Sequence, residues 1–253
     1  MQTLYPTSAQ LRRSARARMY RDRDMQARRS EFWFDFISPY AYLAWKQVRT
    51  RELDLRPVLF AALLDHHGQL GPAEIPAKRD YTFKHVVRRA HDLGVPIVPP
   101  PGHPFNSLLG LRLASVELGH EDRVRLIDAL FDATWAGGPG IHEAGVVAGV
   151  LREAGFEAEP LLAAASNPET KQRLLAATRE AISKGVFGVP TFIAEHRDER
   201  TGEARTESFW GSDSIGDLDR FSRGEDPVTS ELLARWQQLP SLAERPAANR
   251  ASR

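Results

Sequence analysis

Two short segments, far apart in the sequence, combine residue types that can bind an anion and a peptide backbone. The first contains Ser38, Pro39 and Tyr40 and follows an aromatic, strand-like run. Ser38 is a typical N-cap residue and Pro39 a typical first residue of a helix, so a helix N-terminus is predicted here. Free backbone N–H groups and the dipole at such a terminus favour an anion, including a thiolate. The simpler alternative is that Ser38 only caps the helix.

The second segment ends in Gly188, Val189 and Pro190 and leads directly into a predicted strand. Proline has no N–H to donate within a sheet, so Pro190 indicates a sheet edge, a bulge or a cis peptide bond. A cis bond between Val189 and Pro190 would expose the N–H and C=O of Val189 to a peptide ligand. An ordinary trans proline at the start of a strand is the alternative, which X–Pro bonds in general favour.

The composition narrows the chemistry that these segments can perform. The chain has 253 residues and no cysteine, which excludes disulfide scaffolds, thiolate metal sites, cysteine nucleophiles and an intrinsic redox couple. A thiolate at the helix N-terminus would therefore have to come from a ligand. The adjacent His66 and His67 lack further ligands at metal-binding spacing, so no metal site is predicted. The longest apolar run, 144–151, is far shorter than the ~18 residues that a membrane span needs.

Charge is distributed unevenly along the chain. The whole sequence carries a formal charge of +1, but residues 1–30 contain eight arginines and only two acidic residues, Asp22 and Asp24. The remainder is therefore acidic, which argues against a nucleic-acid partner. Residues 1–30 lack the apolar stretch of a secretory signal, and the two aspartates fit a transit peptide poorly. We therefore expect a basic, disordered extension on a cytoplasmic protein with no membrane partner.

The elements that must position the two segments follow from the hydrophobic pattern. Residues 31–37 and 55–60 are predicted strands, and the helix that starts at Ser38 joins them into a βαβ unit with parallel strands. Helices are then predicted over 78–93, 107–118, 121–135, 142–154 and 167–184, before strands at 190–194 and 206–210. Ser212 and Asp213 are predicted to cap a last helix, which extends to about residue 221.

This order of elements predicts an α/β protein in which an inserted all-helical domain interrupts a thioredoxin-like sheet domain. The predicted boundaries place residues 31–64 and 186–223 in the sheet domain and residues 65–185 in the helical domain. Residues 1–30 form the extension, and residues 224–253 form a C-terminal helix and tail.

Six motifs occur in an order and at a spacing that one known group of proteins shares. They are FWFDFISPYAYLA, RPVLFAALLDHHGQLGP, AKRDY, PFNSLLGLRLA, GVFGVPTFI and FWGSD. Over residues 31–222 the sequence resembles the kappa-class glutathione transferases and, more closely, the 2-hydroxychromene-2-carboxylate isomerases of bacterial aromatic catabolism. The pair formed by the S-P-Y and G-V-P motifs is specific to this group. The resemblance implies a DsbA-like thioredoxin fold, an enzyme that uses glutathione, and a homodimer.

The resemblance also implies roles for residues of the two segments. Ser38 stands where thioredoxin-type proteins have the first cysteine of C-x-x-C, and in the family this serine contacts the sulfur of bound glutathione. Pro39 and Tyr40 complete the family's S-P-[YFW] turn beside the thiol. Val189 precedes the family's cis-proline, which is Pro190 here, and its backbone pairs with the cysteinyl part of glutathione.

Further positions carried over from the family surround the two ends of glutathione. Ser212 and Asp213 match a motif that holds the γ-glutamyl end, and Lys78 matches a lysine that meets the glycyl carboxylate. Gln69 stands where the family usually has asparagine, a departure that preserves the amide but lengthens the side chain. The Asn106-Ser107 pair matches a polar pair near the substrate in isomerase relatives, with helix capping as the alternative for the serine.

The implied reaction is a glutathione-dependent cis–trans isomerisation of an aromatic-degradation intermediate, in which the thiolate of glutathione adds reversibly to a conjugated carbon. The implied substrate is a small aromatic enone or a hydroxychromene-carboxylate-like compound. Two alternatives stay open: a kappa-class-like glutathione transferase or peroxidase, and a non-catalytic glutathione-binding relative. A disulfide oxidoreductase of the same fold is disfavoured because the chain has no cysteine.

Overall fold

The computed structural model describes residues 30–197, 202–240 and 242. The predicted extension up to residue 29 and the predicted tail beyond residue 242 lie outside these ranges. Within them, no helix is long and apolar enough to cross a membrane.

Four strands form one mixed sheet with the order β2-β1-β3-β4. They are β1 (Ser30–Phe34), β2 (Leu53–Pro57), β3 (Thr191–Arg197) and β4 (Ala204–Trp210). β1 and β2 are parallel, whereas β3 runs antiparallel to both β1 and β4. This is the predicted thioredoxin-like arrangement, so the fold class is confirmed.

β1 is central because its residues are apolar on both faces. Phe32 and Phe34 point to one face and pack in the larger core with Trp45, while Trp33 points to the opposite face and packs with Leu63. All five side chains are fully buried. A strand covered on both faces reads as a continuous apolar run rather than an alternating one, which explains the aromatic sequence at this position.

Ten α-helices surround the sheet in the described part of the chain. They are α1 (Pro39–Val48), α2 (Phe60–His67), α3 (Pro76–Leu93), α4 (Leu108–Ala114), α5 (His120–Trp135), α6 (Ala144–Glu153), α7 (Ala158–Ser166), α8 (Pro168–Ser183), α9 (Ile215–Ser222) and α10 (Ser230–Gln237). Seven of them, α2 to α8, lie between β2 and β3 in a stretch that we call the helical segment, residues 58–190. The boundaries of the two predicted domains stay a prediction.

The second strand ends earlier than predicted. It stops at Pro57, and α2 begins at Phe60, within the stretch that the sequence assigned to the strand. Tertiary contacts explain the difference: the N–H of Leu59 donates to Thr178 Oγ1 of α8, and the N–H of Phe60 donates to Asp35 Oδ2 (both 3.1 Å). Local sequence carried no sign of these partners.

The last helix of the sheet domain also begins later than predicted. Ser214, not Ser212 or Asp213, occupies the N-cap position of α9, and its side chain makes no capping hydrogen bond. Ser212 and Asp213 instead lie in the turn that follows Gly211, whose φ of 104° falls in the region that only glycine adopts readily.

Candidate functional site

The fold brings the two segments singled out in the sequence together. Ser38 Oγ accepts a hydrogen bond from the N–H of Ala41 (3.2 Å), so Ser38 caps α1 as predicted. The same hydroxyl donates to the carbonyl oxygen of Val189 (3.2 Å), across 151 residues of sequence. Ser38 is 8% exposed and therefore lies just beneath the surface. A hydroxyl, a helix N-terminus and a peptide carbonyl thus meet at one point.

The peptide bond between Val189 and Pro190 is cis. It is fixed on both sides: Thr191 Oγ1 donates to the carbonyl of Gly188 (2.7 Å), and the N–H of Gly211 donates to the carbonyl of Pro190 (2.9 Å). The second hydrogen bond ties the cis-proline to the turn that carries Ser212 and Asp213. These two predicted residues therefore adjoin the Val189 segment.

Gly188 lies against the side chain of Trp210 at the end of β4. A Cβ atom at position 188 would lie 2.6 Å from Trp210 Nε1, closer than any real contact of that kind. Trp210 is 58% exposed and its ring lies 5.1 Å from that of Phe187. An exposed aromatic pair therefore borders the cis-proline.

The turn that carries Ser38 is held by side chains of the helical segment. Trp135 Nε1, at the end of α5, donates to the carbonyl of Phe36 (2.9 Å). His103 Nε2 lies 3.1 Å from the carbonyl of Ile37 and donates to it when the ring carries its hydrogen there. Two successive carbonyls before Ser38 are thereby fixed. Neither anchoring residue could be predicted from the sequence, since nothing local links Trp135 or His103 to residues 36 and 37.

Asp35 is a buried residue whose carboxyl also holds the Ser38 turn. Its carboxyl accepts from the N–H of Ile37 (3.0 Å) and from the N–H of Phe60 (3.1 Å), and it is also hydrogen bonded to the side chain of Ser107. Burial raises the pKa of Asp35, while these three hydrogen bonds act in the opposite direction. The sequence signal that could have identified Asp35 is its charge, because it is an acidic residue within an otherwise aromatic run.

Ser107 occupies the N-cap position of α4, as the capping alternative predicts, but its side chain makes no capping hydrogen bond. It is buried, and its hydroxyl is a partner of the Asp35 carboxyl. Asn106 is exposed, and its Oδ1 accepts from the N–H of Leu108 (3.0 Å). Asn106, not Ser107, therefore provides the capping contact at the start of α4.

His103 is neutral in its surroundings. Its ring packs edge-on against Phe83 and beside Trp135, and its Nδ1 atom is buried without a hydrogen-bond partner. Burial is the main cause that lowers the pKa of His103, and the charge of Arg79 acts in the same direction. Both effects disfavour the charged imidazole, which suits a ring that holds the Ser38 turn through the carbonyl of Ile37.

One face of α3 lies opposite the start of α1. Lys78, Tyr81 and His85 are spaced by three and four residues, which places them on the same side of the helix. The hydroxyl of Tyr40 and Nδ1 of His85 are hydrogen bonded at 2.8 Å. Burial raises the pKa of Tyr40, and the nearby Tyr81 and Asp213 raise it further. Tyr40 therefore lies within electrostatic reach of both α3 and the Asp213 turn.

Lys78 and Gln69 are less firmly placed than the other predicted residues. Both are exposed, and in the described residues no side-chain hydrogen bond holds either of them against Ser38. Gln69 follows Gly68, the left-handed residue that ends α2, and its N–H donates to the carbonyl of Leu64 (2.9 Å). Lys78 shares its helix face with His85, which directs it toward the same side as Tyr40.

The histidine pair has no metal-binding geometry. His66 and His67 are the last two residues of α2, and their rings lie edge to face at 4.9 Å. His67 Nε2 lies 3.2 Å from the carbonyl of Val186. Across the described ranges, no three histidine, aspartate or glutamate side chains converge as a metal site requires.

A parallel βαβ unit, an antiparallel β-hairpin and a cis-proline beside a helix N-terminus define a protein of the thioredoxin class. The family model described as the DSBA-like thioredoxin domain matches residues 31–221, and the chain belongs to that family.

Two relatives show which members of the family the chain is similar to. Glutathione S-transferase kappa 1 of Homo sapiens is 27% identical over 201 residues, covering 73% of this chain and 86% of the relative. The 2-hydroxychromene-2-carboxylate isomerase of Pseudomonas putida is 26% identical over 200 residues, covering 73% of this chain and 89% of the relative.

A solved structure of a 2-hydroxychromene-2-carboxylate isomerase superposes with a TM-score of 0.63 at 24% identity, covering 77% of this chain and 98% of that one. This likeness supports the fold that the sheet topology shows.

Proposed function

We propose that the protein is a glutathione-dependent isomerase of the 2-hydroxychromene-2-carboxylate isomerase type. The observation that carries the proposal is the position of Ser38: its hydroxyl lies at the N-terminus of α1 and 3.2 Å from the carbonyl of Val189, in a chain without cysteine. A hydroxyl donor beside a peptide backbone suits a thiol peptide as ligand, whereas a disulfide exchange site would need a cysteine here.

The donor set fits the chemical groups of glutathione. Ser38 would face the sulfur, and the backbone of Val189 would pair with the cysteinyl residue. The Ser212-Asp213 turn would hold the γ-glutamyl end, where the carboxylate of Asp213 complements an ammonium group. Lys78 would meet the glycyl carboxylate from the face of α3, with Gln69 as a neighbouring amide. Pro39 and Tyr40 would border the thiol at the first turn of α1.

The chain would contribute three effects to the reaction. When bound, glutathione supplies a thiolate that adds reversibly to a conjugated carbon. The Ser38 hydroxyl would turn its hydrogen from the carbonyl of Val189 to the sulfur, and together with the N-terminus of α1 it would stabilise the sulfur anion and so lower the thiol pKa. The anchored Ser38 turn fixes the orientation of the sulfur, and the surface beside the cis-proline offers the aromatic pair of Phe187 and Trp210 to an unsaturated substrate.

A kappa-class-like glutathione transferase is the second candidate, because the human kappa-class relative covers as much of the chain as the isomerase does. The two functions differ in one measurable respect, since an isomerase does not consume glutathione and a transferase consumes one molecule per turnover. The names of the isomerase relatives support a small aromatic substrate from aromatic degradation. A homodimer and a cytoplasmic location are further parts of this proposal.

Replacing Ser38 by alanine tests the proposed role directly. A free thiol of this kind titrates near ~8.5, so a donor that favours the anion raises the thiolate fraction at neutral pH. We expect Ser38→Ala to retain glutathione binding, to shift the titration of the bound thiol to higher pH, and to lower turnover at pH 7 tenfold or more, on the order of one to two pKa units. Thiolate absorbance against pH and steady-state turnover provide the two readouts.

Ser115→Ala is the matched control, because Ser115, the C-cap residue of α4, is similarly buried but donates to the carbonyl of Leu111 in that helix (2.8 Å). Both variants lose a buried hydroxyl, so only an effect confined to Ser38→Ala counts. A bound thiol that titrates as in the wild type, with unchanged turnover, would mean that Ser38 is only an N-cap, worth about 1 kcal/mol to α1.

A further inference from the structure

A hydrogen bond between Tyr40 and His85 connects the two sides of the candidate site. Tyr40 is the second residue of α1 and stands two positions after Ser38, whereas His85 belongs to α3 of the helical segment. The Tyr40 hydroxyl lies 2.8 Å from His85 Nδ1. The ring of Tyr81 stacks on His85 with a centroid distance of 5.8 Å and an interplanar angle of 10°. The imidazole is therefore held in place from two directions.

The pair can direct the tyrosine proton toward a ligand. The Tyr40 side chain is half-buried, and the shifts described above keep its hydroxyl protonated at neutral pH. When the imidazole carries its hydrogen on Nδ1, His85 donates to the phenolic oxygen and the Tyr40 O–H is free to point elsewhere.

The reaction proposed above needs a second hydrogen-bond donor besides Ser38. When a nucleophile adds to the far carbon of a C=C–C=O group, the electron pair of the double bond moves toward the carbonyl oxygen, which gains negative charge. The pair returns to the double bond when the nucleophile leaves, so no atom is gained or lost. A donor fixed before the reaction stabilises such a charge most effectively. The single hydrogen of the Ser38 hydroxyl, which points to the carbonyl of Val189 in the structure, would turn to the sulfur in the proposed complex and so cannot also serve the oxygen.

We propose that Tyr40, oriented by His85, donates a hydrogen bond to the carbonyl oxygen of a conjugated ketone substrate. This inference rests on the proposed isomerase function and adds to it a donor for the oxygen of the enone substrate. Tyr40 is the group that touches the substrate, and His85 is a positioning residue.

Tyr40→Phe and His85→Ala remove the donor and its support, and turnover of a cis-benzylidene ketone in the presence of glutathione gives the first readout. We expect kcat to fall tenfold to a hundredfold in both variants, while the dissociation constant of glutathione in calorimetry stays within twofold. His85→Asn keeps a hydrogen-bonding group near the position of Nδ1 and should recover part of the activity lost in His85→Ala.

The second readout needs no glutathione. Binding of 4-nitrophenolate, an oxyanion followed by its absorbance, should weaken fivefold or more in Tyr40→Phe. Tyr42→Phe is the matched control, because Tyr42 lies on the same helix but donates to the carbonyl of Pro96 (2.7 Å) in the core. It should bind 4-nitrophenolate as the wild type does.

The outcomes separate the two proposals. Wild-type protein that binds glutathione and isomerises the ketone, with a Tyr40→Phe variant equal to it in both readouts, would overturn this inference and leave the function standing. Wild-type protein that does not bind glutathione would overturn the proposed function. In that case the comparison with 4-nitrophenolate alone decides whether Tyr40 binds an oxyanion, and equal affinities would reject that as well.

Discussion

The Ser38 turn and the facing side of α3 are built in opposite ways. The turn is buried: Trp135 and His103 fix its backbone from the helical segment, and Asp35 fixes it from the end of β1. The α3 face is open: Tyr81 is 63% exposed, Lys78 is exposed, and the one described side-chain hydrogen bond from this face to α1 is that between His85 and Tyr40.

This difference shows which half of the candidate site has its groups held in fixed positions before a ligand binds. Groups that must act on a sulfur anion gain most from fixed positions, because their reorganisation would otherwise oppose the reaction. Groups that recognise the outer part of a ligand lose little by being mobile, since each exposed charge contributes modestly. We therefore expect substitutions at the turn to cost stability and chemistry together, and substitution of the exposed Lys78 on α3 to change ligand affinity alone.

The largest effect is expected for Asp35→Ala. The substitution leaves the N–H groups of Ile37 and Phe60 and the hydroxyl of Ser107 without their buried acceptor. Each unsatisfied buried donor costs about 1–3 kcal/mol, so we expect a loss of about 3 kcal/mol in the free energy of unfolding, measured by urea denaturation. Exposed Asp65 on α2 provides the control, and Asp65→Ala should change stability by less than about 0.5 kcal/mol.

Equal stabilities for Asp35→Ala and the wild type would contradict the view that Asp35 anchors the turn. Asp35→Asn should fall between them, because the amide keeps one acceptor oxygen but places an NH2 group against a backbone N–H.

A smaller and pH-dependent effect is expected at His103. Its folded-state pKa lies below the value of an unfolded chain, so the folded protein resists protonation and loses stability as the pH falls below about 6.5. His103→Gln keeps a donor near the position of Nε2 but cannot titrate. The variant should be less stable than the wild type at pH 7.5 because it loses the ring contacts with Phe83 and Trp135. The gap between the two proteins in free energy of unfolding should narrow toward pH 5.

Thermal unfolding at several pH values measures this gap directly. The other histidines are common to both proteins and cancel in the comparison. A gap that stays constant from pH 7.5 to 5 would show that His103 titrates as an exposed histidine does.

The smallest effect on stability is expected for Lys78→Ala. Lys78 is exposed and contributes no contact to the core, so the free energy of unfolding should change by less than about 0.5 kcal/mol. Glutathione affinity should fall about twofold to fivefold, as for the loss of one exposed charge pair. Lys171→Ala, at the N-terminal end of α8, is the control and should leave the affinity unchanged. A tenfold loss would place Lys78 in a more enclosed site than α3 offers.

The parts of the structure that depend on local signals could be predicted from the sequence. Ser38 caps α1 and Pro39 begins it because the N-cap preference and the fixed φ of proline act within three residues. The aromatic run of β1 and its parallel pairing with β2 follow from continuous burial and a helical crossover. Family resemblance supplied the cis bond at Pro190, which the residues alone left open.

The rest depended on partners distant in sequence. The strand at Leu53–Pro57 ends where Phe60 meets Asp35, and Ser107 turns inward to the same carboxyl. His103 and His85 reach the site from the helical segment, and the hydrophobic pattern of the sequence does not indicate their contacts with residues 37 and 40. Sequence pattern therefore predicted the framework and the Ser38 segment, while the side chains that support them became visible only in three dimensions.

The distance of 151 residues between Ser38 and Val189 also has a consequence for how the chain is made. β1 emerges early in synthesis, yet its partner β3 follows only after the whole helical segment. At a synthesis rate of about 5–20 residues per second, the edge of β1 that pairs with β3 stays unpaired for on the order of ten seconds. Phe32, Trp33 and Phe34 all belong to this strand. During that time the most apolar strand of the protein pairs with β2 alone. Aggregation of nascent chains at this edge, rather than low final stability, is the expected weakness of the architecture.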